Sequence, residues 1–523
     1  MSTWSTGRSG TPAASAAESS PAPGTATRPY IEGIIEALGH SGDQPVLRWD
    51  GAGTTGNELL AAIYRYARTL ESLGVARGDL VAMYAPNRPE ALALRYATHL
   101  LGAASVYLSA PPDPGKRAQM LVDFRPRLVV VFPETRHLLP PTTAPCAAIG
   151  SAGDVPLRLD ELASGQDPAP IASRARLGDL AVVISSGGTT GVPKGSVRDF
   201  ASYTTTVTGP SPRTRRQLAN GKLAYLTQVL VDITLLGGGA VILQSGFEPA
   251  ATLAAIENER ITHLFLVEPQ LFELMDHPDV TRRDLSSLSV LTHIGAAAAP
   301  VLRMRARERL GPVIAHTYGA SEMGIVSALP PAEHDPARPG RFACAGRIVP
   351  GVQVRFRSPD GTLGERAGAI EVRSPDMASG YLRRPVEQAM NFIDGWYRPS
   401  DLGELDEEGY LHIHGRVVDC AEIDGRLVTP VALQDLLCRR PDVRYAVIVL
   451  DPDAGTRVVA VVPWPDRTVD TAGCLDAIGG AFGPSVASTV VVLPVDRIPL
   501  TEQGKPNRPE IRRLARERAA RAW

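Results

Sequence analysis

Two lysines lie in segments of this chain whose composition suits anion chemistry. Lys and Arg together number 54, yet only four are lysines, at positions 116, 194, 222 and 505. Arginine is a planar fork and lysine a compact point charge, so a chain that otherwise uses arginine is expected to keep lysine where an ammonium is needed. Lys194 lies in SSGGTTGVPKGS (185–196), and Lys505 lies in IPLTEQGKPNR (498–508). This pattern predicts two positions of phosphate or carboxylate chemistry.

The segment 185–196 directly follows the apolar stretch DLAVVI and has the composition of a phosphate-binding loop. Glycines free the backbone, so that its N–H groups can converge on an anion. The hydroxyls of Ser186, Thr189 and Thr190 add donors, and Lys194 adds positive charge. The spacing differs from a Walker A motif. We therefore expect the loop to bind a polyphosphate by another geometry.

Further segments follow in a characteristic order. They are HTYGASEMG (316–324), GWYRPSDLGELDEEGYLHIHGR (395–416) and the terminal segment 498–508. Together with 185–196 and the stretch NELLAAIYRYARTLESLGVARGDLVAMYAPNRPEALAL, they resemble the ordered motifs of the adenylate-forming superfamily. That superfamily includes acyl-CoA synthetases, aryl and amino acid adenylation domains, and luciferases.

The resemblance covers residues 29–515 and implies that a carboxylate attacks the α-phosphate of ATP, which releases pyrophosphate. It implies catalytic roles for Lys505, Lys194 and Glu322, with Lys505 bridging the two reacting anions and Glu322 holding Mg²⁺. Tyr318 would stack on adenine, and Asp401 would accept hydrogen bonds from the ribose. The implied nucleotide-binding residues are Ser186, Gly187, Gly188, Thr189, Thr190, Gly191, Lys194, Gly295, Ala296, Ala297, Tyr318, Gly319, Ala320, Ser321, Asp401 and Arg416.

The expected acyl pocket is mostly apolar and small. Its candidate residues are Tyr225, Val229, Ile233, His293, Ile294 and Gly295. No Asp stands where members that activate α-amino acids anchor the amino group, so an apolar fatty, aryl or polycyclic acid is favoured. Lys222, in the same region, could contact the acid, but we interpret it as a surface lysine at a helix start.

The chain departs from the family pattern at several positions. Gly187 replaces a Ser or Thr of many members, and the stretch 217–243 contains no His, although the family usually has a His or an aromatic residue there. Val418 stands at the usual hinge position, and Glu422 replaces a common Lys. Gly425 keeps the glycine that lines the thiol's path in the family. The first two departures predict weak adenylation, and the last predicts that thioester transfer is preserved.

The pattern of elements predicts an α/β fold with two folded domains. Apolar strands that alternate with helices indicate parallel sheets covered on both faces, and short alternating strands around 350–416 indicate an antiparallel, barrel-like subdomain. We expect a disordered tail (1–28), a large adenylate-forming domain (29–415) and a small mobile α+β domain (416–523).

Bulk composition excludes several classes of protein. A formal net charge of −2 gives no electrostatic footprint for nucleic acid. The five cysteines form no C-x-x-C pair, which favours reduced thiols in a cytoplasmic protein over a zinc or disulfide framework. No apolar run reaches the roughly 18 residues that span a bilayer.

The sequence thus predicts a carboxylic acid–CoA ligase that uses ATP, Mg²⁺ and CoA. One alternative is a ligase biased or restricted to thioester formation from a supplied acyl-adenylate. A second is a stand-alone enzyme that loads a carrier protein. A luciferase-like oxygenase and a catalytically silent adenylate-binding protein remain as alternatives from other classes, and retention of Lys194 and Lys505 opposes the last.

Overall fold

A computed structural model describes residues 27–185, 192–295 and 299–521 of the chain. The predicted tail 1–28 falls almost entirely outside these residues. The same is true of Ser186, Gly187, Gly188, Thr189, Thr190 and Gly191 of the phosphate loop, and of Ala296 and Ala297.

Most of the chain before residue 417 forms two sheets covered by helices. The helices of the whole described chain are α1 (Tyr30–Ser41), α2 (Gly56–Ser72), α3 (Pro89–Leu100), α4 (Pro114–Phe124), α5 (Leu159–Ser164), α6 (Phe200–Val207), α7 (Gln228–Leu236), α8 (Pro249–Asn258), α9 (Glu268–Met275), α10 (Pro300–Leu310), α11 (Pro385–Asn391), α12 (Pro430–Cys438), α13 (Thr471–Phe482), α14 (Pro484–Ala487) and α15 (Arg508–Arg521). A π-helical turn, Leu223–Thr227, precedes α7.

The strands follow the same chain order. They are β1 (Pro45–Trp49), β2 (Ala52–Thr55), β3 (Leu80–Tyr84), β4 (Ala104–Tyr107), β5 (Leu128–Val131), β6 (Cys146–Ala148), β7 (Leu180–Ser185), β8 (Gly195–Asp199), β9 (Arg216–Ala219), β10 (Ala240–Leu243), β11 (His263–Val267), β12 (Val290–Ile294), β13 (Ile314–Ala320), β14 (Gly324–Leu329), β15 (Arg347–Ile348), β16 (Gln353–Arg357), β17 (Leu363–Gly364), β18 (Ala367–Arg373), β19 (Gly380–Tyr381), β20 (Phe392–Ile393), β21 (Trp396–Tyr397), β22 (Asp401–Leu405), β23 (Leu411–Arg416), β24 (Ala421–Ile423), β25 (Arg426–Val428), β26 (Val443–Asp451), β27 (Thr456–Pro463) and β28 (Val490–Pro494).

The two large sheets are parallel at their centres and antiparallel at their edges, except that the edge strand β6 pairs parallel with β5. One has the order β19-β8-β7-β4-β3-β5-β6, and the other has the order β15-β14-β13-β12-β11-β9-β10-β1-β2. Helices on both faces account for the continuous apolar strands, because a strand buried on both faces has no polar side. The predicted α/β fold class is confirmed.

The antiparallel subdomain predicted for 350–416 is also confirmed. Strands β17-β16-β18-β21-β20 form its main path, β22 pairs with both β18 and β23, and β23 ends at Arg416. Beyond Arg416 lie the hairpin β24–β25 and a three-stranded sheet, β26-β27-β28, covered by helices. We refer to residues 27–416 as the N-terminal part and to 417–521 as the C-terminal part.

The two parts share one continuous apolar core. A single cluster contains buried residues of β11, α9 and α10 together with residues of α12, β26 and β27. At its centre the rings of Phe272 and Tyr445 stack with centroids 3.8 Å apart. The buried Glu268 carboxylate accepts hydrogen bonds from the Tyr445 hydroxyl (2.5 Å) and the Gln434 amide (2.6 Å). These contacts fix the C-terminal part against α9 and α10.

No helix of the described residues combines the length and the apolar character needed to cross a membrane.

Candidate active site

Tyr318, Asp401 and Arg416 come together although they lie far apart in the sequence. Tyr318 lies on β13, and Asp401 and Arg416 are directly paired residues of β22 and β23. The Tyr318 hydroxyl donates to Asp401 Oδ2 (2.7 Å), and Arg416 Nε lies 3.1 Å from Asp401 Oδ1. Burial raises the pKa of the Asp401 carboxyl, while Arg416 and Tyr318 oppose that rise. The group offers an oriented carboxylate, which can accept hydrogen bonds, beside a cation.

Glu322 lies in the turn between β13 and β14 and is buried. Its carboxylate accepts hydrogen bonds from the hydroxyls of Ser321 (2.9 Å) and Tyr381 (3.1 Å). The Lys194 ammonium lies over the same Tyr381 ring, 5.1 Å from its centroid. The structure therefore brings Lys194 and Glu322 to one tyrosine, Tyr381, which no sequence motif had indicated.

Lys505 reaches the N-terminal part from the C-terminal part. A Cβ built on Gly295 would lie only 3.2 Å from Lys505 Cε, and the glycine has φ +96°. A side chain at position 295 would therefore crowd the aliphatic stem of Lys505, and glycine also adopts the positive φ without strain. The Lys505 side chain remains exposed to solvent, although protein groups lie around its ammonium. Desolvation lowers the pKa of its ammonium, and Arg416 lowers it further, whereas Glu322 and Asp401 act in the opposite sense.

The described ends of the phosphate loop are held in place. Strands β7 and β8, which flank the loop, pair antiparallel up to Ser185 and Gly195. Arg198 on β8 donates to the carbonyl of Ser321 (2.7 Å) and to that of Asp376 (2.7 Å). These bonds tie the loop strand to the turn that carries Glu322. Gly319 and Ala320 occupy the end of β13 in the same turn, where a Cβ on Gly319 would lie 2.4 Å from the Gly324 carbonyl.

The residues proposed for the acyl pocket divide into two groups. Val229 and Ile233 lie on α7, and Ile294 and Gly295 lie at the end of β12, which also approaches Lys505. His293 points to the other face of β12, because side chains alternate along a strand. It is fully buried, and its ring stacks on that of His316 with Nδ1 atoms 2.7 Å apart. The structure thus does not bring His293 to the pocket.

Tyr225 lies within the π-helical turn and departs from helical dihedral angles (φ −132°, ψ −142°). Its hydroxyl donates to Glu502 (2.7 Å) in the loop of Lys505, so Tyr225 contacts the C-terminal part. Lys222 begins the same turn and is half-exposed, as expected, but it also pairs with Glu502 (3.1 Å). Glu502 was missed because no local pattern distinguishes it from an ordinary solvent-facing glutamate.

Gly425 lies in the exposed turn of the β24–β25 hairpin with φ +72°, and a Cβ added there would meet no atom within 4 Å. Val418, near the start of the C-terminal part, is 71% exposed. In this structure Lys505 therefore lies against Gly295 of the N-terminal part, while Gly425 faces solvent.

Comparisons with known proteins identify the family and agree with the fold. The family model described as "AMP-binding enzyme" matches residues 36–382. A medium- and long-chain fatty-acid–CoA ligase of Mycobacterium tuberculosis is 29% identical, over 94% of this chain and 90% of its own. A feruloyl-CoA synthase of an Amycolatopsis species is 30% identical, over 89% and 95%. The solved structure of an amide bond synthetase from Marinactinospora thermotolerans superposes with a TM-score of 0.81 and 30% identity, over 93% of this chain and 99% of that chain.

Proposed function

This chain belongs to the family of AMP-binding enzymes, and from that premise we propose that it is an acid–CoA ligase that acts through an acyl-adenylate. In the first step the acid carboxylate would attack the α-phosphate of ATP, and pyrophosphate would leave. In the second step the thiol of CoA would attack the acyl carbonyl, and AMP would leave. The relatives that are CoA ligases and span most of this chain support this activity.

The observation that carries the proposal is the position of Lys505. An ammonium from the C-terminal part lies at Gly295, beside the Tyr318–Asp401–Arg416 group and Glu322. A cation there would offset the charge that develops as two anions react. Asp401 would hold the ribose, and Lys194 with the loop 185–196 would hold the β- and γ-phosphates.

Glu322 fits a role in Mg²⁺ binding, because its carboxylate is an oxygen ligand oriented by two hydroxyl donors. No group of three metal-ligating side chains converges within the described ranges. Phosphate oxygens and water would therefore have to complete the coordination of the ion, which supplies charge neutralisation when bound.

We propose an apolar fatty, aryl or polycyclic acid as the substrate. Val229, Ile233 and Ile294 would give the acyl pocket aliphatic walls, and a fatty-acid–CoA ligase and a feruloyl-CoA synthase are among the similar proteins. Gly425 would line the path of the thiol after the domain that begins near residue 416 has rotated.

A panel of acids tests the proposal, with pyrophosphate release and CoA consumption measured separately. We expect at least one apolar acid to give both signals in equal amounts, and Lys505→Ala to abolish both. Pyrophosphate release without CoA consumption would contradict a CoA ligase and favour a carrier protein or an amine as acceptor. The amine is a second candidate because the amide bond synthetase resembles the whole described fold.

The missing His of 217–243 supports a further proposal, that adenylation is slower than thioester formation. Single-turnover rates of the two steps decide between the proposals. Faster adenylation from the cognate acid would show that the enzyme is an ordinary two-step ligase.

A further inference from the structure

Glu502 precedes Lys505 by three residues and is bound entirely by donors of the N-terminal part. The Ala110 N–H (2.7 Å) and Lys222 Nζ (3.1 Å) contact its Oε2, and the Tyr225 hydroxyl (2.7 Å) donates to its Oε1. The side chain of Glu502 is only 16% exposed. An ammonium, a hydroxyl and a backbone amide of the N-terminal part thus converge on this one carboxylate of the C-terminal part.

A compact turn links Glu502 to Lys505. The Thr501 N–H donates to the Lys505 carbonyl (2.7 Å), and the Gly504 N–H donates to the Thr501 carbonyl (2.9 Å). Gly504 has φ +76°, and a Cβ there would lie 3.0 Å from Val267 Cγ2. Because the turn is closed by its own hydrogen bonds and lies against Val267, a shift of Glu502 would also shift Lys505.

We propose that Glu502 is a positioning residue that clamps the Lys505 turn onto the N-terminal part for acid activation and releases it before the thiol step. We call the contacts of Glu502 with Ala110, Lys222 and Tyr225 the Glu502 clamp. The inference rests on the proposed function for its catalytic consequence, but the clamp itself is a property of the folded chain.

The clamp also gives a role to the segment that lacks His. Tyr225 and Lys222 both lie in 217–243, and each engages the turn of Lys505 from that segment. Burial and the charge of Glu502 raise the pKa of the Tyr225 hydroxyl far above its usual range, so this group stays protonated and can donate. Lys222 therefore helps to position Lys505.

The first test needs no substrate. Hydrogen–deuterium exchange is measured at the Ala110 amide and across 498–507 in the full-length protein, in Glu502→Gln and in Glu502→Ala. A hydrogen bond to a charged acceptor protects an amide, so exchange at Ala110 should rise about tenfold in Glu502→Ala. The matched control is Glu517→Gln, which changes an exposed glutamate of α15 that pairs with Arg513. Unchanged exchange at Ala110 in both Glu502 variants would overturn the clamp.

The second test separates the two steps of the reaction. Adenylation in single turnover should fall about tenfold in Glu502→Gln and in Lys222→Met, with the KM values for ATP and acid little changed, since the substrates themselves are not contacted. The double variant should lose less than the product of the two single losses. Lys116→Met, on α4, is the matched control for the lysine change.

Thioester formation from supplied acyl-adenylate should be as fast in the variants as in the wild type, or faster. Equal losses in both steps, or independent losses in the double variant, would overturn the positioning role. If the wild type adenylates no acid of the panel, the proposed function fails, and the exchange experiment still decides whether the clamp exists.

Discussion

At Lys505, one ammonium is influenced by Arg416, Glu322 and Asp401 at once. Replacing it by alanine should abolish acyl-adenylate formation and leave ATP binding largely intact, because the charge matters most when both reactants approach. We expect a loss of about 10²–10³ in rate, or about 3–4 kcal/mol. Pyrophosphate release measures the rate, and calorimetry measures ATP binding. An adenylation rate equal to that of the wild type would remove Lys505 from the mechanism.

The lowered pKa of Lys505 predicts a pH dependence of the first step. Since desolvation and Arg416 lower this pKa, the ammonium loses its charge at a less alkaline pH than an ordinary lysine does. Adenylation should therefore decline on the alkaline side. Lys505→Arg keeps the charge at high pH, so whatever activity it retains should decline later. The same alkaline limb in both proteins would assign it to another group.

Asp401 carries the third prediction at this scale. Its replacement by alanine removes the acceptor proposed for the ribose hydroxyls, and AMP affinity should fall by about 1–3 kcal/mol. Calorimetric titration with AMP measures the change. Tyr318→Phe removes only one donor to Asp401, so it should weaken AMP binding less than Asp401→Ala does. Unchanged AMP affinity in Asp401→Ala would show that β22 does not contact the ribose.

The sequence predicted most of the residues that the structure brings together around Lys505. Motifs identified Tyr318, Asp401, Glu322, Arg416 and Lys505. Their convergence depends on the fold, which a motif assumes but does not itself show. His293 was predicted for the acyl pocket but packs against His316, because the face to which a strand residue points depends on the sheet around it. Glu502 could not be found, since its partners lie about 280 and 390 residues away.

Between elements, Glu268 of α9 joins α12 and β26 through its two donors. Burial raises the pKa of this carboxyl above its usual value, although Tyr445 and Gln434 oppose the rise. A raised carboxyl pKa stabilises the folded state below the ordinary glutamate pKa, and this contribution is lost as the pH rises through the raised value. Glu268→Gln should abolish that part of the pH dependence.

Thermal unfolding of both proteins across the acidic-to-neutral range measures the effect. The Tm of the wild type, relative to that of Glu268→Gln, should fall as the pH rises. A Tm difference between the two proteins that is the same at every pH would mean that folding does not raise the pKa of the Glu268 carboxyl. The strands and helices around Glu268 were predicted from periodicity, but the way they pack together was not. Apolar periodicity indicates which face of an element is buried, but not which element it packs against.

Across the whole molecule, the stacked rings of Phe272 and Tyr445 oppose any rotation of the C-terminal part. Phe272→Leu should weaken this contact by about 0.5–1.5 kcal/mol. The arrangement that holds Lys505 against Gly295 should then be less stable. Adenylation should therefore slow, while thioester formation from supplied adenylate should become faster. Single-turnover rates of the two steps measure the shift, and Leu363→Ala, at an exposed position of β17, is a control. A parallel change in both steps would contradict the prediction.

The core shared by the two parts also has a consequence during synthesis of the chain. Its first members lie at 218–314 and the others at 428–515. A ribosome that adds about 5–20 residues per second needs about 10 to 40 s to make the roughly 200 residues from 315 to 515. Throughout that time the apolar faces of α9 and α10 stay uncovered on the nascent polypeptide. Truncated translation products that end before β26 should therefore aggregate or bind chaperones, and solubility should return once β27 has emerged.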